Sequence, residues 1–463
     1  MSIQNASRCN SLALLATALA MTPVITAAGQ QQSVKPTLVG AAPQVGAAPQ
    51  VGAAPPAAAA PQLPPPLSRT EQRFRDLAKY IRDRGTIDEG TRDQIVKLAG
   101  EIDAELKAPT TARDQMLRLL PARAQIAIWL ADEPAMDAAF EQLASMSPAS
   151  DMITMLWARE LINSARFEKA VSVLNKHGFA DAQQIDAKIL LAQALIGITR
   201  FDEAQAALNS APPLNRSPQQ LNAIAGYSGR IPKLRDLWNR ELVAIAKDQT
   251  RADLPTVQLA TTRGPILVEL FEDQAPNTVG NFIEHVDLGT YTGTKFHRVV
   301  RGFGVQGGDP STANGGIGGS ATGGWTVPDE CERGDRRATL AGRLVLAKQP
   351  AADSPLKAAA NSGGCQFMIL LGPDENLDGM YTVFGRVIDG FDRARLLTPE
   401  DEIVSATVVQ RRNHDYKGVR LGTDAIGNFA MPKPGTPARP DPGVENPINP
   451  KSVVPEKDPA LAH

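Results

Sequence analysis

The residues best suited to chemistry in this sequence are concentrated in Lys295–Asp309, which reads KFHRVVRGFGVQGGD. Besides its glycines, this segment carries a guanidinium at Arg298 and a side-chain amide at Gln306. Its stretch Gly302–Gly307 matches the G-x-G-x-x-G pattern of dinucleotide sites, in which a helix must follow and receive the pyrophosphate at its amino terminus. Because Gly308–Ser311 and further glycines follow instead, we expect no helix here and no dinucleotide cofactor.

The sequence also contains partial metal-binding patterns. Residues 374–379 (DENLDG) resemble the start of a calcium-binding loop, but the twelfth position is Gly385, where a bidentate glutamate is required. The five histidines lack the spacing of metal ligands, and we interpret His297 as a structural residue. We therefore expect no metal and no other cofactor.

Beyond these patterns, residues 253–412 resemble the cyclophilin family of peptidyl-prolyl cis/trans isomerases. Several motifs in the family's order carry the resemblance. They are Phe296–Arg298, Gly302–Phe303 and Gln306–Asp309, supported by Phe271, Ala275–Thr278, Asn281–Phe282, Gln366–Phe367, Leu377–Gly379 and Val383–Val387. The resemblance implies a closed eight-stranded antiparallel β-barrel that is capped by two helices, and it implies isomerase activity on X-Pro peptide bonds.

Such an enzyme has to lower the resonance barrier to rotation about the X-Pro amide, which is roughly 18–20 kcal/mol. In the twisted transition state conjugation is lost, and the prolyl nitrogen can accept a hydrogen bond. The resemblance implies that Arg298 is the donor to this nitrogen, because a guanidinium is always charged and holds its donors in fixed directions. It implies that Gln306 is the second catalytic residue, whose amide donates to the moving carbonyl oxygen.

Further residues at the family's positions are expected to bind the substrate. Phe303, Met368 and Leu377 would line an apolar pocket for the proline ring, although each of them taken singly is more often a plain core residue. The full set of expected substrate-binding residues is Phe303, Ala347, Lys348, Gln366, Met368, Leu377 and Tyr381.

Several positions depart from the family pattern. Gly304 stands where a bulky apolar residue is common, Met368 where a phenylalanine usually closes the pocket, and Lys348 where an asparagine usually binds the substrate backbone. Asn376 replaces an aromatic residue, often tryptophan, and Tyr381 replaces a histidine. We expect these changes to loosen the pocket and to leave catalysis intact, since both catalytic residues remain.

The elements that must hold these residues can be predicted from the same region. Residues 256–260 and 266–270 alternate or run apolar, which is typical of strands. Residues 275–285 predict a helix that begins near Pro276, because proline is favoured in a first helical turn. These patterns agree with a β-barrel, and we place the cyclophilin-like isomerase domain at residues 251–412.

Upstream, residues 68–250 show helical periodicity and an internal repeat of period 34. Ala158, Leu161, Ile162, Arg166, Phe167, Ala170 and Leu174 recur as Ala192, Leu195, Ile196, Arg200, Phe201, Ala204 and Leu208. The region resembles tetratricopeptide helix hairpins, with residues 131–143 as a degenerate third copy. Two interpretations stay open: a concave peptide-binding surface, or a plain helical bundle with a duplicated hairpin.

The two ends of the chain have a different composition. Residues 1–28 have the apolar core and the small-residue cleavage site of a signal peptide, and residues 29–67 form a Pro/Ala-rich linker that we expect to be disordered. Residues 413–463 form a Pro-rich tail, also expected to be disordered. We therefore predict an exported protein, periplasmic or extracellular, with no membrane span after signal cleavage. Cys331 and Cys365 could form a disulfide there or remain thiols.

The charge balance bears on possible partners. With 48 Lys and Arg residues against 50 Asp and Glu residues, the chain offers no electrostatic basis for binding nucleic acid. We expect proline-containing polypeptide substrates and a protein partner for the helical region. The chain is therefore interpreted as a multidomain isomerase, α-helical and then β-barrel, that assists the folding of exported proteins. The alternative is a non-catalytic adaptor that binds proline-containing segments through the barrel and partners through the helical region.

Overall fold

The computed structural model describes residues 66–421, except for residues 86, 148–149, 317, 320 and 352–353. The predicted signal peptide, nearly all of the linker and most of the tail lie outside the described residues. The chain divides into two compact units between Ala139 and Phe140. The helices that precede the sheet are α1 (Arg69–Arg84), α2 (Glu89–Lys107), α3 (Arg113–Leu130), α4 (Glu133–Met146), α5 (Ser150–Asn163), α6 (Phe167–Lys176), α7 (Asp181–Gly197), α8 (Phe201–Asn209) and α9 (Pro218–Asp248).

The first unit is built on the apolar faces of its helices. Helix α1 begins at a capping box, in which Ser68 and Glu71 exchange side-chain to backbone hydrogen bonds. Ile95, Leu98 and Ile102 of α2 are spaced by three and four residues and are buried in a core with residues of α1 and α3. The predicted helical region is confirmed.

The 34-residue repeat corresponds to a repeated turn between helices. Ala165, between α5 and α6, and Thr199, between α7 and α8, have φ values of 55° and 60°, and Ala131, between α3 and α4, has a φ of 57°. The residue after each turn donates its N–H to the carbonyl five positions back, as from Arg166 to Leu161 at 2.8 Å. The backbone turn therefore occurs three times at a spacing of 34 residues. The turn at Ala131 is as regular as the other two, although the side chains of residues 131–143 match the repeat poorly.

The second unit contains the sheet in addition to α5–α9. Nine described strands form one antiparallel sheet in the order β3-β11-β1-β2-β10-β6-β9-β5-β4, and two more form a separate hairpin. The strands are β1 (Thr256–Thr261), β2 (Gly264–Leu270), β3 (Thr294–Lys295), β4 (Arg298–Val300), β5 (Gly304–Gly307), β6 (Arg343–Leu346), β7 (Pro350–Ala351), β8 (Ser354–Ala358), β9 (Phe367–Leu370), β10 (Val383–Asp389) and β11 (Glu402–Gln410).

The sheet is strongly curled. Its two edge strands, β3 and β4, are separated along the chain only by Phe296 and His297, so the edges must approach within the reach of two residues. Among the described strands no ladder joins β3 to β4. The predicted closed barrel of eight strands is therefore not confirmed, and the structure shows a curled sheet of nine strands. Helices α10 (Pro276–Asp287) and α11 (Phe391–Ala394) pack against β11 and β2 respectively.

A short 3-10 helix spans Pro310–Gly315. The expectation that no helix begins after the glycine-rich segment is therefore wrong in detail. Asp309 caps this helix and accepts from the Ser311 amide at 2.8 Å. Because that amide is already bonded and the helix has only six residues, the conclusion that it does not form a dinucleotide site is unchanged.

The end of the described chain packs against the sheet unit. Residues 413–421 belong to the predicted tail, yet the Tyr416 hydroxyl donates to Glu272 at 2.8 Å, and the Leu421 N–H donates to the Thr326 carbonyl at 2.9 Å. Cys331 and Cys365 are both buried thiols. None of the described helices has the length and apolar content to cross a bilayer.

Candidate active site

The sheet register places the two expected catalytic residues opposite each other. Arg298 on β4 pairs with Gln306 on β5, and Gln306 pairs with Met368 on β9. The row continues from Met368 to Val345 on β6 and to Val383 on β10. Because directly opposed residues of antiparallel strands project to the same face, these five side chains form one row, from a guanidinium to buried valines.

An apolar cluster surrounds Met368 at the buried end of this row. Its buried members are Phe271, Val345, Met368, Leu370 and Val383, and the partly buried Phe303, Leu377 and Tyr381 pack against them. The structure thus brings together the apolar and aromatic residues that the sequence predicts for the proline pocket. We call this set the pocket cluster.

Arg298 lies at the open end of the row. Its side chain is exposed, and in the part of the chain that the structure describes no carboxylate is paired with its guanidinium. Arg301, three residues on, is instead bonded to Glu160 of α5. Because no described residue accepts a hydrogen bond from its guanidinium, Arg298 can donate to an incoming ligand.

Gln306 is oriented by a buried hydrogen-bond network. Its Nε2 donates to Oε1 of Gln366 at 2.9 Å, and Nε2 of Gln366 donates to Oδ2 of Asp309 and to the Ala321 carbonyl, both at 2.9 Å. A carboxylate and a carbonyl can only accept, so they fix the Gln366 amide with its oxygen toward Gln306. One N–H of Gln306 is thereby committed and the other remains for a ligand. Ala347 adjoins this network, since its N–H donates to the Gln366 carbonyl at 3.0 Å.

Lys348 lies at the border of the pocket cluster with its charge already satisfied. Its side chain is only 5% exposed, and Nζ donates to the Asp329 carboxylate at 2.6 Å and to the Met380 carbonyl at 3.1 Å. The same ammonium is 6.0 Å from the centre of the Tyr381 ring. A substrate carbonyl would have to compete with these partners for the Lys348 ammonium. The geometry therefore favours a structural role, in which Lys348 holds the loop that contains Met380 and Tyr381.

The departures from the family pattern have a structural explanation at three positions. A β-carbon at Gly304 would lie 3.0 Å from Sδ of Met368 and 3.1 Å from its Cγ. The thioether of Met368 therefore occupies the space that a larger residue at position 304 would need. Asn376 is exposed and donates its side-chain amide to Asp374 at 3.0 Å, which stabilises the loop that carries Leu377.

His297, between the two sheet edges, is half-buried. Burial of the ring lowers its pKa, while the charge of Asp309 acts in the opposite direction. A β-carbon at Gly318 would lie 3.2 Å from Cγ of His297, so the ring packs against the glycine-rich loop. This position agrees with the interpretation of His297 as a structural residue.

The sequence motifs assigned no function to several residues of the site. Val345 and Val383 complete the cross-strand row, Phe271 is a buried member of the pocket cluster, and Asp309 orients the amide network. Phe271 and Val383 stood in the quoted motifs and Val345 did not, and the place of all three in the site follows from strand pairing and packing between distant parts of the chain. Asp309 was visible as part of the Gln306–Asp309 motif, but its orienting function required the hydrogen-bond pattern.

The arrangement can receive an apolar ring beside an exposed guanidinium and an amide N–H. Such a site can stabilise a polarised or twisted amide through hydrogen bonds without forming a covalent bond. Among the residues described, no group of three or more His, Cys, Asp or Glu side chains is arranged to hold a metal ion.

Comparison with known proteins gives the same family throughout. The family model described as cyclophilin type peptidyl-prolyl cis-trans isomerase matches residues 256–410. The peptidyl-prolyl cis-trans isomerase of Synechococcus elongatus is 38% identical over 153 residues, which are 33% of this chain and 94% of that protein. The crystal structure of the cyclophilin AquaCyp293 from Hirschia baltica is 28% identical, with a TM-score of 0.28, over 33% of this chain and 73% of that chain. Peptidyl-prolyl cis-trans isomerase-like 1 of Homo sapiens is 40% identical over 136 residues, which are 29% of this chain and 75% of that protein. This chain therefore belongs to the cyclophilin-type peptidyl-prolyl cis-trans isomerase family.

Proposed function

We propose that this isomerase acts on X-Pro bonds of exported polypeptides through Arg298 and Gln306. The observation that carries the proposal is the cross-strand row, in which an exposed guanidinium and an oriented amide adjoin the partly open pocket cluster. The proline ring would enter the apolar cluster between Phe303, Met368 and Leu377. The prolyl nitrogen would then face the open end of the row, where the guanidinium of Arg298 can donate a hydrogen bond to it.

Catalysis would follow from differential hydrogen bonding. In the planar amide the prolyl nitrogen is conjugated and accepts poorly, whereas in the twisted state its lone pair is localised. A donor aimed at that nitrogen therefore stabilises the transition state more than the ground state, which is what lowers the barrier. The uncommitted N–H of Gln306 would follow the carbonyl oxygen as it rotates, while Gln366 and Asp309 keep the amide in position.

The helical region would serve as a binding surface. The turn repeated at Ala131, Ala165 and Thr199 supports tetratricopeptide-like hairpins, which present extended surfaces for polypeptides. A partner or client protein would then be bound by the region that directly precedes the isomerase domain in the sequence. The signal-like residues 1–28 support export of the protein to the periplasm or the extracellular space.

Two measurements on the full chain test the proposal. Exchange spectroscopy on a proline-containing peptide should show faster cis/trans interconversion in the presence of the protein, at peptide concentrations where binding is also seen. Binding without acceleration would instead support the non-catalytic adaptor.

The export of the protein is tested by fractionation of cells that carry the tagged gene. A shortened chain should be recovered outside the cytoplasm, and recovery of the full-length chain in the cytoplasm would contradict that part of the proposal.

A further inference from the structure

The pocket cluster is held by segments that contact the helices of the same compact unit. Phe303 lies in the β4–β5 turn, Leu377 and Tyr381 lie in the connection between β9 and β10, and Phe271 follows β2. The first two segments are contacted directly by α5 or α9, and Phe271 is linked to α9 through Arg337. The helices therefore contact the segments that hold the pocket cluster.

The first contact is between the β4–β5 turn and the end of α5. Arg301 is bonded to the Glu160 carboxylate, whose side chain is only 5% exposed. A β-carbon at Gly302 would lie 3.6 Å from both Cα and the carbonyl oxygen of Asn163. The turn that carries Phe303 is thus fixed against α5 by an ion pair and by backbone contact.

The second contact is between α9 and the loop before Tyr381. Arg230 makes a bidentate pair with Glu375, with Nε–Oε1 and Nη2–Oε2 distances of 2.7 and 3.0 Å, and the Glu375 side chain is only 7% exposed. Arg240, ten residues along the same helix, donates to Asp378 at 2.5 Å. These two carboxylates flank Leu377, so the helix holds the loop on both sides of a pocket residue.

The third contact is made to Phe271, a buried member of the pocket cluster. The guanidinium of Arg337 stacks on the Phe271 ring, 3.6 Å from its centre, and is fully buried. It is held there by Glu241 and Asp248 of α9, with N–O distances of 2.6 and 2.7 Å. A fully buried guanidinium needs such partners, so the position of Phe271 depends on α9.

We propose that α5 and α9 are a positioning frame for the isomerase pocket, with Arg230 as the positioning residue that places the Glu375–Tyr381 loop for substrate binding. The proposal rests on the proposed use of the pocket cluster for the proline ring. It assigns the helices a function in the isomerase itself, in addition to any partner they bind. Arg230 does not touch the substrate, and it acts through Glu375 on Leu377.

The test uses the full chain and the variants Arg230→Gln and Arg235→Gln. Arg235 is the matched control, because it lies on α9 and pairs with Asp202 of α8 rather than with the sheet. We expect Arg230→Gln to lower kcat/KM for a proline peptide about two- to thirtyfold, mainly through KM, and to shift the NMR methyl signal of Met368. Arg235→Gln should do neither. The charge exchange Arg230→Glu with Glu375→Arg should recover most of the loss.

The methyl signal separates this proposal from the proposed function, because it does not depend on turnover. If the chain showed no isomerase activity, a Met368 shift in Arg230→Gln alone would still support the positioning frame. Equal kcat/KM values and equal Met368 signals in Arg230→Gln and Arg235→Gln would overturn it. Should Arg230→Gln fail to fold, Arg240→Gln provides the same comparison through Asp378.

Discussion

Two residues that contact each other, one of them in the pocket cluster, compensate for each other. Gly304 and Met368 both depart from the family pattern, and the thioether of one fills the space beside the other. Methionine is flexible and adapts to irregular spaces, so this part of the pocket cluster is more adaptable than one closed by a phenylalanine. We expect the pocket to tolerate varied residues around the proline.

The contact between these residues predicts coupling in a double-mutant cycle. Gly304→Ala should cost about 1–3 kcal/mol of unfolding free energy, since its β-carbon would lie 3.0 Å from both Sδ of Met368 and the carbonyl oxygen of Ile369. In a Met368→Ala background the cost should fall by about 1 kcal/mol, because the thioether is gone. Urea unfolding of the four proteins measures both values. Costs that add within about 0.5 kcal/mol would show that the two positions are independent.

A buried histidine predicts sensitivity to acid. His285 is fully buried, stacks on Trp325 at 4.4 Å and has a pKa lowered from 6.5 to about 3, first by burial and then by the charge of Arg420. Below pH 6.5 the unfolded chain binds a proton at this residue that the folded chain does not. Stability should therefore fall between pH 6.5 and about 3, by up to about 1.4 kcal/mol per pH unit from this group.

The variant His285→Gln isolates this contribution, because the carboxylates titrate alike in both proteins. Unfolding free energies measured at several pH values should fall less steeply in the variant. Parallel pH profiles for the two proteins would show that His285 does not titrate in this way.

At the scale of elements, α6 and α7 pack closely at a small residue of α7. A β-carbon at Gly197, the last residue of α7, would lie 2.4 Å from ring atoms of Phe167 in α6. Phe167 also approaches the sheet, since its Cζ would lie 3.7 Å from a β-carbon at Gly372. Gly197 thus leaves room for the Phe167 ring. The same ring lies beside Gly372, in the loop that follows β9.

This packing predicts opposite effects for two helical glycines. Gly197→Ala should destabilise the protein by about 1–3 kcal/mol through overlap with Phe167. Gly229→Ala in α9, where no atom lies within 4 Å of the new β-carbon, should instead stabilise it by about 0.5–1 kcal/mol. Thermal unfolding of both variants provides the comparison, and equal shifts in the same direction would contradict the packing described.

Much of this architecture was predictable from local patterns, and the remainder depends on distant pairing. Periodicity indicated the helices and the repeat, and short motifs indicated the pocket residues. Lys348 bonds to Asp329, 19 residues away, and Arg337 bonds to Glu241, 96 residues away. Neither partner could be recognised from the neighbouring sequence. The curl of the sheet was also not predictable, because strand order depends on which distant strands meet.

At the scale of the whole molecule, the helices α5–α9 belong with the sheet. The division into compact units falls at Ala139, inside the region that the sequence assigns to one helical domain. A buried ionic cluster joins α9 to the sheet, in which Glu241 accepts from Arg337, Arg343 and the Ala338 amide. Burial alone would raise the pKa of Glu241, but Arg343 and Arg337 outweigh it and hold the pKa below its usual value.

Removing this carboxylate should destabilise the whole second unit. Glu241→Gln leaves Arg337 buried with less compensation, and we expect a loss of about 3–5 kcal/mol of unfolding free energy. Glu203→Gln, at an exposed pair with Arg200, is the control and should cost less than about 1 kcal/mol. Chemical unfolding of both variants tests the difference, and similar costs would mean that the buried cluster is not what joins helix and sheet.

In the proposed mechanism, Arg298 is the residue that stabilises the twisted amide. The direct test is kcat/KM for cis/trans exchange of a proline peptide, measured for the full chain and for Arg298→Ala. Because the side chain is exposed and bound to no carboxylate among the described residues, thermal stability should not change. We predict a fall in kcat/KM of about a hundredfold or more, as for loss of a transition-state donor. A variant that folds normally and retains the kcat/KM of the parent chain would contradict this role of Arg298.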